Sequence, residues 1–250
     1  MKDTPVARLA ASLLGSLVDF IFPPFCAACH RRLAGSERGA ICEGCWQLVD
    51  HWPPGACQRC GAALEPEAKP RLCPSCRIDQ WPCSDARAVG PFSGTVAEAI
   101  HLLKYSDHRN VAQRLAGMIS ESIGGDPGYR SADLVLAVPL HPARRRERGF
   151  NQAQLLADGL SRQLAIPTDE VAVARKRNTG TQTRLNRQER LENVKEIFKV
   201  NKPALVQGRT IILIDDVLTT GATIGSCGRS LLAAGASEVL ALTAAAAPLS

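Results

Sequence analysis

The sequence predicts an α/β protein in which a mostly parallel sheet follows a small, cysteine-rich N-terminal domain. Two observations lead to this fold class. After residue 85, strand-like and helix-like apolar patterns alternate, as they do in strand–helix–strand units with right-handed crossovers. Before residue 81, eight cysteines fall into four Cys-x-x-Cys pairs, the spacing of metal-binding knuckles. The length of 250 residues fits one medium domain together with a smaller one.

The paired cysteines form a repeat, because the first four recur at a constant offset. The two sets are Cys26, Cys29, Cys42, Cys45 and Cys57, Cys60, Cys73, Cys76. The repeat predicts one closed, structural Zn²⁺ site per unit within residues 22–80, held by four thiolates. The alternatives are a cross-braced pairing of the first knuckle with the third, or a redox-active array. Such a segment has little apolar core, so metal binding would supply its folding free energy, on the order of 10 kcal/mol per site.

The first 21 residues carry apolar side chains at helical spacing, which predicts an amphipathic helix docked on the body of the protein. Asp19 interrupts this segment and no Ala-x-Ala cleavage site follows it, unlike an export signal. It is also too short to cross a bilayer. We therefore expect a cytoplasmic protein without a transmembrane segment, and the alternative is a peripheral membrane role for the helix.

Composition and charge narrow the class of partner. Hydrophobic residues make up 45% of the chain and charged residues 22%, close to globular averages, which argues against wholesale disorder or a collagen-like chain. The net charge of +6 comes entirely from the chain after residue 85. A local basic field of this kind favours an anionic partner such as a phosphate, a nucleotide or a nucleic acid.

The apolar patterns assign the elements of the larger domain. Strands are predicted at residues 86–92, 134–138, 171–174, 210–214 and 239–242, and helices at 95–105, 111–123, 151–164 and 223–234. A linker at residues 78–85, broken by Trp81-Pro82, separates this domain from the cysteine repeat. In sheets of this type, ligands bind beyond the carboxyl ends of the strands.

Two acids and a hydroxyl-rich loop form the strongest functional signal. The apolar strand 210–214 is predicted to stop at Asp215 and Asp216, which should face a polar ligand or a cation because burying both carboxylates is costly. The loop at residues 219–223 opens a helix and offers N–H groups, hydroxyls and a positive dipole end to a phosphate. Together they predict a site for a ribose 5-phosphate. The alternative is an ordinary strand–turn–helix joint with solvated acids.

At this point the chain resembles a known family. Residues 211–223 resemble the phosphoribosyl pyrophosphate (PRPP) binding motif of type I phosphoribosyltransferases. The cysteine-rich start and further stretches are similar to the ComF family (competence protein F, also called GntX); these stretches are residues 101–105, 138–141, 148–152 and 182–193. The resemblance covers residues 20–245. It implies a double zinc ribbon (22–80) and a type I phosphoribosyltransferase-like domain (86–250), which follow the N-terminal helix (1–21) predicted from apolar spacing.

The resemblance also implies residue roles. The PRPP-binding residues would be Asp215, Asp216, Val217, Thr219, Thr220, Gly221, Ala222 and Thr223, with the acids binding the ribose hydroxyls directly or through Mg²⁺. Pyrophosphate would be held by Pro139, Leu140, His141 and Arg148, and Arg144, Arg145 and Arg146 would add positive charge. Gln182 and Arg187 would belong to a mobile lid.

Two classes of function follow from the resemblance. The first is an enzyme that transfers a phosphoribosyl group from PRPP and releases pyrophosphate, in a protein of DNA uptake and transformation. The second is a non-catalytic module that senses PRPP or binds single-stranded DNA, with Trp46, Trp52 and Trp81 available to stack on bases. The expected partners are PRPP or a related ribose phosphate, single-stranded DNA, and DNA-uptake or recombination proteins. No acceptor-recognition element can be identified in the sequence.

Overall fold

The computed structural model describes residues 24–33, 40–52, 57, 64, 73, 81–106, 108–176 and 197–247. The strands are β1 (Asp85–Pro91), β2 (Leu134–Ala137), β3 (Val173–Arg175), β4 (Phe198–Val200), β5 (Thr210–Leu218) and β6 (Glu238–Ala246). The helices are α1 (Glu43–Gln47), α2 (Gly94–Tyr105), α3 (Val111–Ile123), α4 (Pro127–Arg130), α5 (Pro142–Arg148), α6 (Gln152–Leu164), α7 (Pro203–Val206) and α8 (Ala222–Ala233). The predicted N-terminal helix lies outside the described residues. No helix within these ranges is long and apolar enough to cross a membrane.

Four strands form a parallel sheet in the order β1-β6-β5-β2, which confirms the predicted fold class. β3 and β4 pair antiparallel in a separate two-stranded sheet. The sequence predicted one strand at 171–174 and missed β4, because three residues are too few for a periodic pattern to show. β2 and β5 are neighbours, so their carboxyl ends meet at the same edge of the sheet.

Alternate residues of β5 enter two separate apolar cores. Ile212 and Ile214 pack with buried residues of α2, α3 and α6 on one face, whereas Ile211 and Leu213 pack with those of α8 on the other. A strand covered on both faces has a continuous apolar sequence. This is why the sequence pattern located β5 correctly.

The predicted end of that strand at residue 214 is wrong, since β5 continues to Leu218. Its backbone stays paired with β6 as far as the Leu218 and Ala246 partners. The backbone hydrogen bonds between β5 and β6 form whatever the polarity of the side chains. The end of β6 carries small alanine side chains, which do not interfere with this pairing. Asp215 and Asp216 therefore lie within the strand rather than beyond it.

The first cysteine repeat packs directly on the sheet domain. Five of its residues share an apolar core with α2 and α3, namely Cys26, Leu33, Ile41, Cys42 and Val49. Thr95 at the start of α2 donates a hydrogen bond through its hydroxyl to the carbonyl of Cys45 at 3.1 Å. A Cβ on Gly90 of β1 would collide with the carbonyl of Asp50. The backbone at Asp50 therefore approaches β1 at a distance that only a glycine allows. The repeat and the sheet domain thus share buried structure.

Candidate functional site

Asp216 points toward α2 and α6, near the carboxyl end of β5. Its Oδ2 lies 2.7 Å from Nζ of Lys104 and accepts a hydrogen bond from Nε2 of Gln152 at 3.3 Å. Its Oδ1 accepts the backbone N–H of Val217 at 2.8 Å. The side chain is only 8% exposed. Asp216 is therefore a buried carboxylate with a charged partner and two hydrogen-bond donors.

Asp215 has different surroundings, because successive strand side chains point to opposite faces of a sheet. It lies close enough to α8 that its charge, together with burial as the larger cause, raises the pKa of the Cys227 thiol. Burial raises the pKa of Asp215 itself well above its ordinary value, and the charge of Asp216 raises it further. The two acids are thus coupled electrostatically and both feel the charge of Lys104, although their side chains leave opposite faces of β5, in contrast to the expected pair facing one ligand.

Replacing Asp215 with asparagine is expected to stabilise the ligand-free protein near neutral pH. An acid whose pKa is raised on folding stabilises the fold only below its unfolded pKa of about 3.9, and that contribution is lost as pH rises through the folded pKa. Asparagine carries no such charge, so the variant should gain stability relative to wild type as pH rises from about 5 to about 8. Urea unfolding across this range measures the difference.

Asp126→Asn is the matched control with the opposite sign. A hydrogen bond from Arg87 lowers the pKa of Asp126, so its charge stabilises the fold above the unfolded pKa and does so less as pH falls. Both asparagines retain their acceptor oxygen toward the backbone. A stability difference for Asp215→Asn that does not change with pH would contradict the burial of this carboxyl.

The loop after β5 is shaped by glycine. Gly221 caps the N-terminus of α8 with φ of 76°, a conformation that favours glycine. The space that a Cβ on Gly221 would need is filled by the ring of Trp81. The neighbouring loop residues Thr219, Thr220, Ala222 and Thr223 are exposed. The loop therefore presents hydroxyls and the first N–H groups of α8 to solvent, as an anion site requires.

The glycine face of α8 continues along the helix and holds the linker. A Cβ on Gly225 would meet the ring of Trp81 at 3.4 Å, and one on Gly228 would meet Pro82 and Cys83, both at 3.3 Å. The three glycines recur at helical spacing and lie on one face. Residues 81–83 therefore pack in a groove that begins at the hydroxyl-rich loop.

The loop after β2 contains the predicted pyrophosphate residues Pro139, Leu140 and His141. Nδ1 of His141 accepts the backbone N–H of Ala143 at 3.2 Å and so caps α5. Arg148 ends α5, and its guanidinium lies 5.1 Å from the ring centre of Tyr105, next in the chain to Lys104. The structure thus brings Arg148 toward the end of α2 that pairs with Asp216.

A cavity of about 540 Å³ opens beside the carboxyl end of β2. Its charged and amide lining consists of Arg145, Arg146, Arg175, Glu170, Asn151, Gln154 and Asn201, and Pro139 and Leu140 form part of its wall. Arg145 pairs with Glu170, whereas the buried Nε of Arg175 has no hydrogen-bond partner among the described residues. The cavity therefore carries an excess of positive charge suited to a polyanion. Arg144, which pairs with Glu147 at 3.0 Å, does not line it.

Sequence reasoning assigned no role to Lys104, Gln152 or Arg175. Lys104 and Gln152 come from helices far apart in the chain, and only the packing of α2 and α6 on one face of the sheet brings them to the same carboxylate. Arg175 lines the cavity from β3. The predicted lid residues Gln182 and Arg187 lie outside the described residues.

Cys26, Cys29, Cys42 and Cys45 form a candidate zinc centre, since their four sulfurs lie within 4.8 Å of one another. The backbone N–H of Cys45, with help from Arg31, lowers the pKa of Cys42 to about 6. Burial and the neighbouring sulfurs raise the pKa of Cys45. Thiolates this close repel one another unless a cation lies among them, so the four donors fit tetrahedral Zn²⁺. The grouping joins the first knuckle to the second, which differs from the cross-braced alternative.

The second repeat reproduces one contact of the first. The backbone N–H of Cys42 donates to Sγ of Cys26 at 3.3 Å, and that of Cys73 donates to Sγ of Cys57 at 3.3 Å. The remaining cysteines of this repeat, Cys60 and Cys76, lie outside the described residues. The second zinc site stays a prediction.

Comparison with known proteins finds two domain families and several relatives that match most of the chain. Residues 17–77 match the double zinc ribbon domain, and residues 151–249 match the phosphoribosyl transferase domain. The chain is 32% identical to the DNA utilization protein YhgH of Salmonella typhimurium, over 87% of this chain and 94% of that protein. It is 30% identical to Competence protein F of Haemophilus influenzae, over 86% and 93%. It is 28% identical to Competence protein ComFC of Bacillus subtilis, over 78% and 79%.

Proposed function

The chain belongs to the family of Competence protein F and the DNA utilization protein YhgH, phosphoribosyltransferase-like proteins with a zinc ribbon, and on that premise we propose that it binds PRPP. The observation that carries the proposal is the meeting of two loops at one edge of the sheet. β5 leads from an acid pair to the hydroxyl-rich loop, and the adjacent β2 leads to an arginine-lined cavity. Sheets of this type bind ligands at that edge.

Each part of PRPP has a counterpart at this edge. The 5-phosphate lies on the loop at residues 219–223, against the start of α8. The ribose lies at the carboxyl end of β5, where Asp216 accepts one of its hydroxyls and Asp215, on the other face of the strand, is coupled to Asp216 through its charge. The pyrophosphate lies at residues 139–141 and Arg148, with the cavity arginines supplying further positive charge.

Magnesium enters the proposal through the phosphates of the ligand, since Mg²⁺ is usually held by substrate phosphates, water and one or two carboxylates. Asp216 is poorly suited to bind this ion, because its carboxylate oxygens are already occupied. They contact Lys104, Gln152 and the backbone N–H of Val217. No part of the proposed chemistry is therefore assigned to a metal at Asp216.

The chemistry that the site supports is displacement at the anomeric carbon. The bond from this carbon to pyrophosphate breaks, and a bond to the acceptor nucleophile forms. Positive charge develops on the sugar ring and negative charge on the leaving group, so arginines around the pyrophosphate stabilise the transition state. Arg148 and the cavity residues Arg145, Arg146 and Arg175 are the groups that serve this role.

A second candidate is a non-catalytic PRPP sensor or an accessory module for single-stranded DNA. The exposed ring of Tyr105, with Arg148 against it, is an observation that favours base stacking. The partners would then be single-stranded DNA and DNA-uptake or recombination proteins, in the cytoplasm, where cysteines stay reduced. Trp46 and Trp81 offer less, because Trp46 is partly buried against the apolar core and Trp81 lies on the glycine face of α8.

Isothermal titration with PRPP and Mg²⁺ is expected to show one site per chain in the wild type and none in Asp215→Asn/Asp216→Asn. The double substitution removes the charged acceptor at Asp216 together with the charge of Asp215 that is coupled to it. Asp126→Asn, an acid variant away from this edge, should bind normally. Wild-type affinity in the double variant would refute the site. PRPP consumption against a panel of bases, amides and single-stranded DNA then distinguishes an enzyme from a sensor.

A further inference from the structure

We propose that Lys104 is a resident cation of the sugar-phosphate site, so that a ribose 5-phosphate binds beside Asp216 without a divalent metal at this carboxylate. The inference rests on the proposed function. It adds which cation compensates the negative charge of Asp216 in that site. It assigns Lys104 as a positioning residue that acts on the ligand through Asp216.

The first support is the geometry of the pair. Nζ of Lys104 lies 2.7 Å from Oδ2 of Asp216, and the two side chains are 18% and 8% exposed. Lys104 belongs to the last turn of α2, which is anchored by the fully buried Ile100 and Leu103. An ammonium held this way, away from solvent, is screened much less than a surface charge. It is therefore a fixed part of the site.

The second support is the number of acceptor positions left on Asp216. A carboxylate offers about four, and Lys104, Gln152 and the N–H of Val217 occupy three of them. One ribose hydroxyl can take the remaining position without displacing a partner. Mg²⁺ would have to approach a carboxylate oxygen closely while repelled by the ammonium beside it, and it demands near-octahedral geometry. A neutral hydroxyl donor fits this acid better than a metal ion does.

Titration with ribose 5-phosphate tests the inference, since this ligand lacks the pyrophosphate that carries its own magnesium. Wild-type protein is expected to bind it equally well in excess chelator and in Mg²⁺. Lys104→Met should weaken binding in chelator by about tenfold or more, because the charge of Asp216, no longer compensated by an ammonium, repels the anionic ligand. Mg²⁺ should then restore part of the affinity, because Asp216 has gained both a free position and an uncompensated charge.

Three further variants control the experiment. Lys104→Arg keeps the cation and should remain independent of metal. Lys202→Met removes a lysine from an exposed pair with Asp169 and should change nothing. Lys104→Met/Asp216→Asn leaves no unpaired charge, so it should fold and should not respond to Mg²⁺.

The outcomes separate this inference from the proposed function. Loss of ribose 5-phosphate binding by the wild type in chelator would overturn the role of Lys104 and leave the PRPP site standing. So would unchanged, metal-independent binding in Lys104→Met, or a magnesium response that persists in the double variant. Failure of the wild type to bind either ribose 5-phosphate or PRPP under any condition would refute the proposed function itself.

Discussion

Alanine in place of Gly221 is expected to abolish phosphate binding and to lower the free energy of unfolding by about 2–4 kcal/mol. Two effects combine in this estimate. The φ of 76° is unfavourable for any residue with a Cβ, at about 1–2 kcal/mol. The new methyl would also collide with the ring of Trp81, which is packed along α8 and has to move. Denaturant unfolding and PRPP titration measure the two consequences.

Gly208→Ala is the matched control for the backbone contribution. Gly208 has φ of 71°, close to that of Gly221, and nothing lies within 4 Å of a Cβ placed there. The Gly208→Ala variant should lose less stability than Gly221→Ala and should bind the ligand as the wild type does. In the double variant Gly221→Ala/Trp81→Ala the collision disappears, so part of the stability lost on Gly221→Ala should return. Equal losses in Gly208→Ala and Gly221→Ala would show that the contact with Trp81 contributes nothing.

Loss of zinc from the first cysteine repeat is expected to disturb the sheet domain as well as the repeat. Cys42→Ala removes one ligand, and a structural zinc site contributes on the order of 10 kcal/mol, comparable to the stability of a whole domain. Leu33, Ile41 and Val49 share their core with α2, so the helix that carries Lys104 should lose support. Zinc content should fall by one ion per chain, and backbone amides of α2 should exchange faster with solvent.

Cys227→Ala distinguishes the metal effect from the loss of a buried thiol. Cys227 is fully buried in α8 and lies in the other core, with no part in the zinc-binding group. This variant should retain its zinc and the slow exchange of α2, with a loss of about 1 kcal/mol from the small cavity. Full zinc content in Cys42→Ala, or unchanged exchange of α2, would contradict the structural role of the centre.

Local patterns predicted the main elements, while long-range packing determined much of the site. The apolar run of β5 and the helical spacing of α3 are visible in the sequence because each element meets its core with a fixed period. The metal-binding group of the first cysteine repeat could also be predicted, because the Cys-x-x-Cys spacing is a local feature of the sequence.

Other features of the site depend on contacts between elements that are distant in the sequence, which no local pattern reveals. β5 passes the acids because β6 continues beside it, and Asp216 faces Lys104 because α2 packs next to α6. Arg175 lines the cavity from a three-residue strand whose partner begins more than twenty residues later. The acids and the hydroxyl loop could be predicted, but the counter-ion could not.

The indole that rests on Gly221 belongs to the linker that follows the cysteine-rich segment, so one wall of the loop proposed to hold phosphate is contributed by the connection between the two domains. A change in the position of the cysteine-rich segment would therefore be transmitted through Trp81 to this loop. A ligand bound to the loop would in turn hold the linker in place, because any coupling between two binding events is reciprocal. The two halves of the chain are thus connected at this ring as well as through the apolar core that the first cysteine repeat shares with α2 and α3.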